Sequence, residues 1–496
     1  MNPIFTSNRH MLDDIALCDK NVMLTYQMML EEVDKRVAFL KLHHIHCLAI
    51  ALDNCIEWIL FDLAAQQLQI TVVPIPTFFS DAQREHVLSQ SACDYLLTTD
   101  AHFFAAITQL KFSQNSELVF YRIASSSLGA RPKETQKVTF TSGSTGMPKG
   151  VCLSIENQWR VAQSLANVLD INKPRHLCLL PLSVLLENIA GVYAPLLAGG
   201  TVTVIGLETL GFTGSQLSQP EKLLQAVSDH QPDSLILVPE LLMLLVRAAQ
   251  SGWVVPQSLK FIAVGGAHVP EALLHCAHQL GLPVYQGYGL SECGSVVSLN
   301  TPGNDLLGSA GHILPHCTVV EEEGELVIQG NCQLGYQNDP ASWYPEVIKT
   351  GDLGKVVNGT LTLLGRKKNV IISSFGRNIQ PEWPEALLLS SGLIKQAVII
   401  GDSRPFCCVL LVTYPGVTPE QVDQLLSKIN LSLPDYAQLK QRLILAHDMT
   451  AEQGLYTLNN RPKRREIAHY YSEQIDALYH PSYLSSNPQT CVEELL

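Results

Sequence analysis

The sequence lacks the features that would place it in several large classes. Its 13 cysteines contain no C-x-x-C pair and no paired framework, which speaks against structural zinc and a secreted disulfide scaffold, and for a reduced compartment with mostly buried free thiols. Positive charge is scarce: 33 Lys and Arg stand against 46 Asp and Glu, a net charge of −13, so nucleic acid or an anionic membrane is not expected as the main partner. No transmembrane segment is expected either, because the most apolar stretch, residues 177–205, is broken by Glu187, Asn188 and glycine-containing turns and reads as a buried helix between two strands. The segment MNPIFTSNRHMLDD has no apolar core flanked by basic residues, so no secretory signal is visible and a cytoplasmic location is expected. The two common nucleotide fingerprints are missing from the glycine-rich stretch at 138–151. Met147 and Pro148 precede Lys149 where an ATPase P-loop requires glycine, and the glycines do not fall as G-x-G-x-x-G.

What that stretch does contain, VTFTSGSTGMPKGV, is a set of phosphate donors. Thr141, Ser142, Ser144 and Thr145 offer hydroxyls, Gly143, Gly146 and Gly150 let the main chain approach a ligand, and Lys149 adds positive charge. Ser154 can cap a following helix with Trp159, Ala162, Leu165 and Leu169 on one face, which would bring backbone donors near a phosphate. Around it the 496-residue chain, 46% hydrophobic and 16% charged, has core enough for two to four domains. Apolar runs (CLAIALD, ITVVPIP, YLLTT) alternate with helix-length segments before residue 100, and a second series (HLCLLPL, TVTVIG, DSLILVP, LKFIAVGG, PVYQGYG) does so up to Gly289. The expected fold is α/β: two doubly wound sheets, whose ligands collect beyond the carboxyl ends of strands. A small β-rich part follows Thr301, with Asn358-Gly359 as a hairpin turn, and a separate α+β domain closes the chain.

The 138–151 stretch resembles the phosphate loop of the acyl-adenylate-forming superfamily, which includes acyl-CoA synthetases, and further motifs follow in that family's order. In YQGYGLSE (285–292) the resemblance implies that Gln286 and Gly287 belong to the AMP site, Tyr288 lies against adenine, Ser291 reaches the α-phosphate and Glu292 holds magnesium. A purine suits an aromatic face, and a hard carboxylate suits Mg²⁺. Gly265, Gly266 and Ala267 match the adenine-edge loop, Asp352 the ribose aspartate and Arg366 a ribose and phosphate contact. Lys368 matches the hinge to a mobile C-terminal lid, and Gly376 the point where a thiol arm passes. The implied domains are 1–367 for adenylation and 368–496 for the lid.

The resemblance implies ATP-dependent conversion of a carboxylic acid to acyl-AMP with Mg²⁺, then thioester formation with CoA. Residues 181–188, PLSVLLEN, look most like long-chain fatty acyl-CoA synthetases, which favours an aliphatic acid, although Val184 and Leu186 replace that family's histidine and aromatic residue. Alternatives are an acyl carrier protein as acceptor, β-lactone closure, or, in a different class, a non-catalytic adenylate-binding protein. This last reading is prompted by LYTLNNRPKRREI near the C-terminus, where the family has an inserted lysine. Alignment puts Arg461 at that position and Lys463 two residues on; the compact ammonium of Lys463 favours it chemically.

Overall fold

A computed structural model of the chain describes residues 3–6, 11–100, 109–112, 117–123, 129–141, 148–169, 171–214, 216–267, 269–372, 374, 378–457 and 460–479. The chain divides into two compact units: Met1–Glu321, Val327–Thr350 and Val356–Thr362 form the larger, and Glu322–Leu326, Gly351–Lys355 and Leu363–Leu496 the smaller.

The larger unit is α/β, as the alternation of apolar runs and helical segments requires. In one sheet Lys137–Thr141, Thr71–Pro74, Cys47–Ala51 and Tyr95–Thr98 are adjacent parallel strands, bounded by antiparallel ones. The other places Val284–Tyr288, Phe261–Val264, Ser234–Leu237, Arg175–Cys178, Thr201–Val204 and Ile15–Cys18 side by side, also parallel. One continuous core joins residues of both sheets with the helices Ile56–Gln67 and Ile155–Leu169. Local signals set the helix starts: Ser80 and Gln83 form a capping box at Asp81–Ser91, and the Ser154 hydroxyl accepts from the Asn157 amide at 3.0 Å. Asn358, with φ of 52°, turns the chain between Val347–Val357 and Thr360–Arg366. Among the described residues no helix is long and apolar enough to cross a membrane.

The buried helix expected between residues 177 and 205 is a π-helix, Leu186–Tyr193, followed by one α-helical turn, Ala194–Leu197. Consecutive polar residues on it are drawn into two separate buried networks. Glu187 meets His176 Nε2 at 2.8 Å and accepts from the Leu180 amide. Asn188 and Tyr193 instead meet Lys137, at 2.5 and 2.8 Å, and Lys137 pairs with Asp62 at 3.0 Å. Lys137 is fully buried, and burial holds its pKa below the ordinary lysine value. Removing one partner of such a pair strands the other charge, so this network locks the strand that leads into the hydroxyl-rich stretch against the π-helix.

His316 is a further, partly buried ionisable group in this unit, and it makes stability depend on pH. Burial pushes its pKa down to about 4, below the roughly 6.5 of an unfolded chain, so the unfolded state takes up the proton first. Stability is therefore full above pH 6.5 and falls as the pH drops toward 4, by up to about 3 kcal/mol from this group. Denaturant melts at pH 7 and pH 4.5 should show a smaller acid loss in His316→Gln than in the parent; equal losses would remove His316 as the cause.

The smaller unit is α+β. Its sheet orders Ile394–Ile400, Cys407–Thr413 and Leu439–Ile444, antiparallel then parallel. Glu382–Ser390 and Pro419–Asn430, the latter capped by Thr418 as its sequence predicts, share a core with one face. Arg464–Tyr470 and Ser472–Leu478 pack with Val398 and Leu410 on the other. These two helices and the strand Leu439–Ile444 were not anticipated from sequence, which read residues 461–465 as a basic cluster holding the candidate cations Arg461 and Lys463 rather than as the start of a helix. All 12 described cysteines are free thiols.

Candidate active site

The strand Lys137–Thr141 leads into the hydroxyl-rich stretch, and the chain returns as Lys149–Leu153, antiparallel, with Thr141 opposite Lys149. Ser142, Gly143, Ser144, Thr145 and Gly146 lie outside the described residues. The helix capped by Ser154 starts only after this return strand. Its amides come five strand residues beyond Lys149, about 16 Å along the chain, rather than directly after the hydroxyl-rich stretch.

On the second sheet, Gly266 and Ala267 are exposed just beyond the carboxyl end of Phe261–Val264. Gln286 pairs with Val264 on the neighbouring strand, and Gly287 and Tyr288 pair with Leu299 and Ser298. Gly289 follows at a close approach: a Cβ there would lie 1.6 Å from the Ser295 carbonyl oxygen. Glycine therefore permits the turn that delivers Ser291 and Glu292, both half-buried, on a single 3₁₀ turn, Ser291–Cys293.

Tyr336, which no sequence pattern singled out, connects the two motifs. Its hydroxyl donates to Glu292 Oε1 at 3.0 Å, and the Lys149 ammonium lies 5.5 Å from its ring centroid. Gly335 and Tyr336 pair with Cys152 and Val151 on the return strand. The Gln333 amide donates to the Glu292 carbonyl at 2.6 Å, while Asn331 Nδ2 donates to the carbonyls of Cys293 and Asn157, both at 3.1 Å. Burial, and then the Glu292 charge, push the Tyr336 phenol pKa up, so it remains a donor. A Gly-Tyr pair in turn-rich sequence has no periodicity to betray it; only the long-range strand pairing does.

Magnesium fits this arrangement. Among the described residues the hydrogen bond to the Glu292 carboxylate comes from a neutral hydroxyl rather than from a cation, and a carboxylate is a hard oxygen ligand suited to such a metal ion. A second candidate metal centre, His176, Cys178 and Glu187, has ligand atoms within 4.8 Å of one another, all buried. Those groups are already satisfied: His176 Nδ1 meets Ser234 Oγ at 3.0 Å, and Nε2 meets Glu187. Cavities of about 460 and 370 Å³ are lined by Trp253, Val255 and Leu280, and by His278, Pro283 and Tyr285. They lie where chain enters the strands, opposite the ends that carry Gly266 and Glu292, and hold none of the candidate residues.

In the smaller unit Asp352 is buried and pairs with Arg366 at 2.7 Å. Lys368 lies in the turn Lys367–Asn369. Partial burial of its ammonium, then Arg366 and Arg461, hold its pKa below the usual lysine range, which puts Arg461 in the same charged cluster. Gly376 is outside the described residues. Arg461 is exposed near the tip of a tight turn, its carbonyl accepting from the Thr457 amide at 2.8 Å. Lys463 sits lower down, with its amide bound to the Leu455 carbonyl at 2.8 Å, as the residue before helix Arg464–Tyr470. Arg464 anchors the whole turn through a buried bidentate pair with Glu385.

Residues 5–335 match the family model described as AMP-binding enzyme, and residues 368–482 match its C-terminal domain. Among curated relatives, a long-chain-fatty-acid–CoA ligase, FadD15 of Mycobacterium bovis, is 30% identical over 250 residues, 43% of this chain and 41% of that protein. A 2-succinylbenzoate–CoA ligase of Bacillus subtilis is 31% identical over 286 residues, 54% and 56% of the two chains. The matches thus span about half the length of these relatives. In three dimensions the chain resembles the o-succinylbenzoate CoA synthetase of Bacillus subtilis in complex with its acyl-adenylate intermediate, with a TM-score of 0.76 and 24% identity over 94% of this chain and 97% of that one. It also resembles the anthranilate CoA ligase AuaEII, with a TM-score of 0.78 and 15% identity over 95% and 97%. The phosphate-loop hairpin, the Glu292 turn and the family match over two thirds of the chain converge: this protein belongs to the AMP-binding enzyme family.

Proposed function

We propose that the protein is an acid–thiol ligase. An acid carboxylate oxygen attacks the α-phosphorus of ATP, pyrophosphate leaves, and an acyl-AMP forms. The sulfur of CoA then adds to the acyl carbon, its proton is lost, and AMP departs. The observation that carries this reading is the convergence of Glu292, Tyr336 and Lys149, which joins the phosphate-loop hairpin to the YGLSE turn.

In this reading Thr141, Ser142, Gly143, Ser144, Thr145, Gly146 and Lys149 hold phosphates, and Gly266, Ala267, Gln286, Gly287 and Tyr288 hold the base. Ser291 donates to the α-phosphate, Asp352 and Arg366 serve the ribose, and Glu292 is the magnesium ligand. Bound magnesium would neutralise phosphate charge as it moves onto the leaving pyrophosphate. Arg461 supplies the cation for the first step, and Gly376 belongs to the thiol path. The domain division falls at residues 367 and 368.

The acid is a carboxylate with an apolar body, aliphatic or aryl. The partial matches to fatty-acid and succinylbenzoate ligases, together with the aliphatic Val184 and Leu186 in segment 181–188, support that class. Pyrophosphate release should be measured across fatty, aryl and hydroxy acids with ATP and Mg²⁺, with CoA omitted and then added. Release that needs an acid, followed by CoA thioester, is the expected result; thioester formed only on a carrier protein would replace CoA as acceptor, and silence across all acids would favour the binding-protein reading.

Lys368 serves as the hinge. Lys368→Pro fixes φ and removes a backbone donor, and should slow thioester formation more than acyl-AMP formation. Equal slowing of the two half-reactions, measured separately, would count against that role.

A further inference from the structure

We infer that the segment Asn331–Gln337 is a positioning strap for the metal and phosphate groups, with Tyr336 setting the carboxylate of Glu292. This deepens the proposed function and rests on it. The strap makes three kinds of contact. Its main chain pairs with the return strand of the phosphate hairpin, through Gly335 and Cys152, Tyr336 and Val151, and the Gln337 amide to the Gly150 carbonyl at 2.8 Å. At its other end it holds the Glu292 turn, through the Gln333 amide on the Glu292 carbonyl and Asn331 on the Cys293 carbonyl. Asn157, at the start of the helix after the hairpin, closes the frame by donating to the Cys332 carbonyl at 2.9 Å and to Asn331 Oδ1 at 3.2 Å. The strap's main chain together with the Asn331 and Asn157 side chains would therefore place the turn, but not the rotamer of its carboxylate.

That rotamer is what Tyr336 decides. A glutamate has three side-chain torsions, and a half-buried one whose hydrogen bond among the described residues is cut regains much of that freedom. The phenol fixes Oε1 at 3.0 Å and leaves the other oxygen for the metal. The same ring carries the Lys149 ammonium on its face, so one side chain sets the spacing of the site's anion and its phosphate-binding cation. Tyr336 is a positioning residue: it acts through Glu292 and Lys149 and needs no contact with the reacting atoms.

The two functions separate by substitution. Tyr336→Phe removes the hydroxyl and keeps the ring; Tyr336→Leu removes both. Calorimetric titration with ATP in the absence of acid, across a series of Mg²⁺ concentrations, together with metal-free AMP titration, reads them without turnover. Tyr336→Phe should raise the Mg²⁺ concentration needed for half-maximal ATP affinity about tenfold, the scale of one hydrogen bond to a charged group, leave metal-free AMP affinity at the parent value and move the melting temperature by no more than about 2 °C. Tyr336→Leu should additionally weaken ATP at saturating Mg²⁺ by about threefold to fivefold, as a cation–π contact is lost. An unchanged Mg²⁺ requirement in Tyr336→Phe, or an equal loss of metal-free AMP affinity, would overturn the inference while leaving the ligase reading standing. A parent protein that binds neither ATP nor AMP would overturn both.

Discussion

Glu292→Ala should lower acid-dependent pyrophosphate release by about three orders of magnitude, the scale on which a pre-organised charge-stabilising group is lost, while the melting temperature moves by no more than about 2 °C. The two expectations follow from the same geometry. Glu292 is half-buried on a short turn, and the turn itself is held by the Gln333 main-chain amide and the Asn331 side-chain amide, which the substitution leaves in place. Among the described residues, the hydrogen bond lost with the carboxylate is the one from Tyr336, worth about 1 to 2 kcal/mol at most in stability. Parent-level pyrophosphate release in Glu292→Ala would end the metal assignment. A collapse of the melting temperature would mean that the residue holds the fold rather than the metal.

The second large effect concerns the cation that replaces the family's lysine. Arg461→Ala should depress acyl-AMP formation roughly 10²- to 10³-fold, Lys463→Ala by less than about threefold, and Arg461→Lys should recover most of the loss because it restores the charge on a flexible stem. Side-chain chemistry alone favours Lys463; main-chain geometry favours Arg461. Pro462 confines Arg461 to extended backbone, the turn from Thr457 holds it near the tip, and its charge is felt at Lys368 beside Arg366 and Asp352. Lys463 is committed as the last residue before a helix, with both its amide and its carbonyl engaged, by Leu455 and Ile467. Rapid-quench assays of acyl-AMP, separated from the thioester step, decide between them. The reverse ranking would return the role to Lys463, and parent rates in both variants would leave the reaction without an inserted cation.

Much of the scaffold was legible because local physics and tertiary demand agree. The run Cys47–Ala51, the helix Asp81–Ser91 and the Thr418-capped helix each carry their own boundary signals, and the structure places them there. The π-helix did not announce itself, since Glu187 and Asn188 are pulled toward partners on different strands that are distant in sequence from one of them: His176 lies 11 residues away, Lys137 51. Lys137 shows the same limit. In the run KVTFT a lysine at the strand's start reads as solvent-facing, yet it is fully buried against Asp62, Asn188 and Tyr193.

By itself the sequence determined the fold class, the order of the nucleotide motifs and the chemical types they offer, because periodicity, capping and glycine placement are properties of neighbouring residues. Only the tertiary structure decided which groups meet. Tyr336 reaches Glu292 across 44 residues and lies beneath Lys149, a contact created by pairing one short strand with the return arm of the phosphate hairpin. Arg464, which sequence grouped with the other basic residues, is withdrawn into a buried pair with Glu385, while Arg461, three residues earlier, is left on the turn. Adjacent charges in a basic run differ in role because burial and partner geometry, which a linear string does not encode, separate an anchor from a reagent.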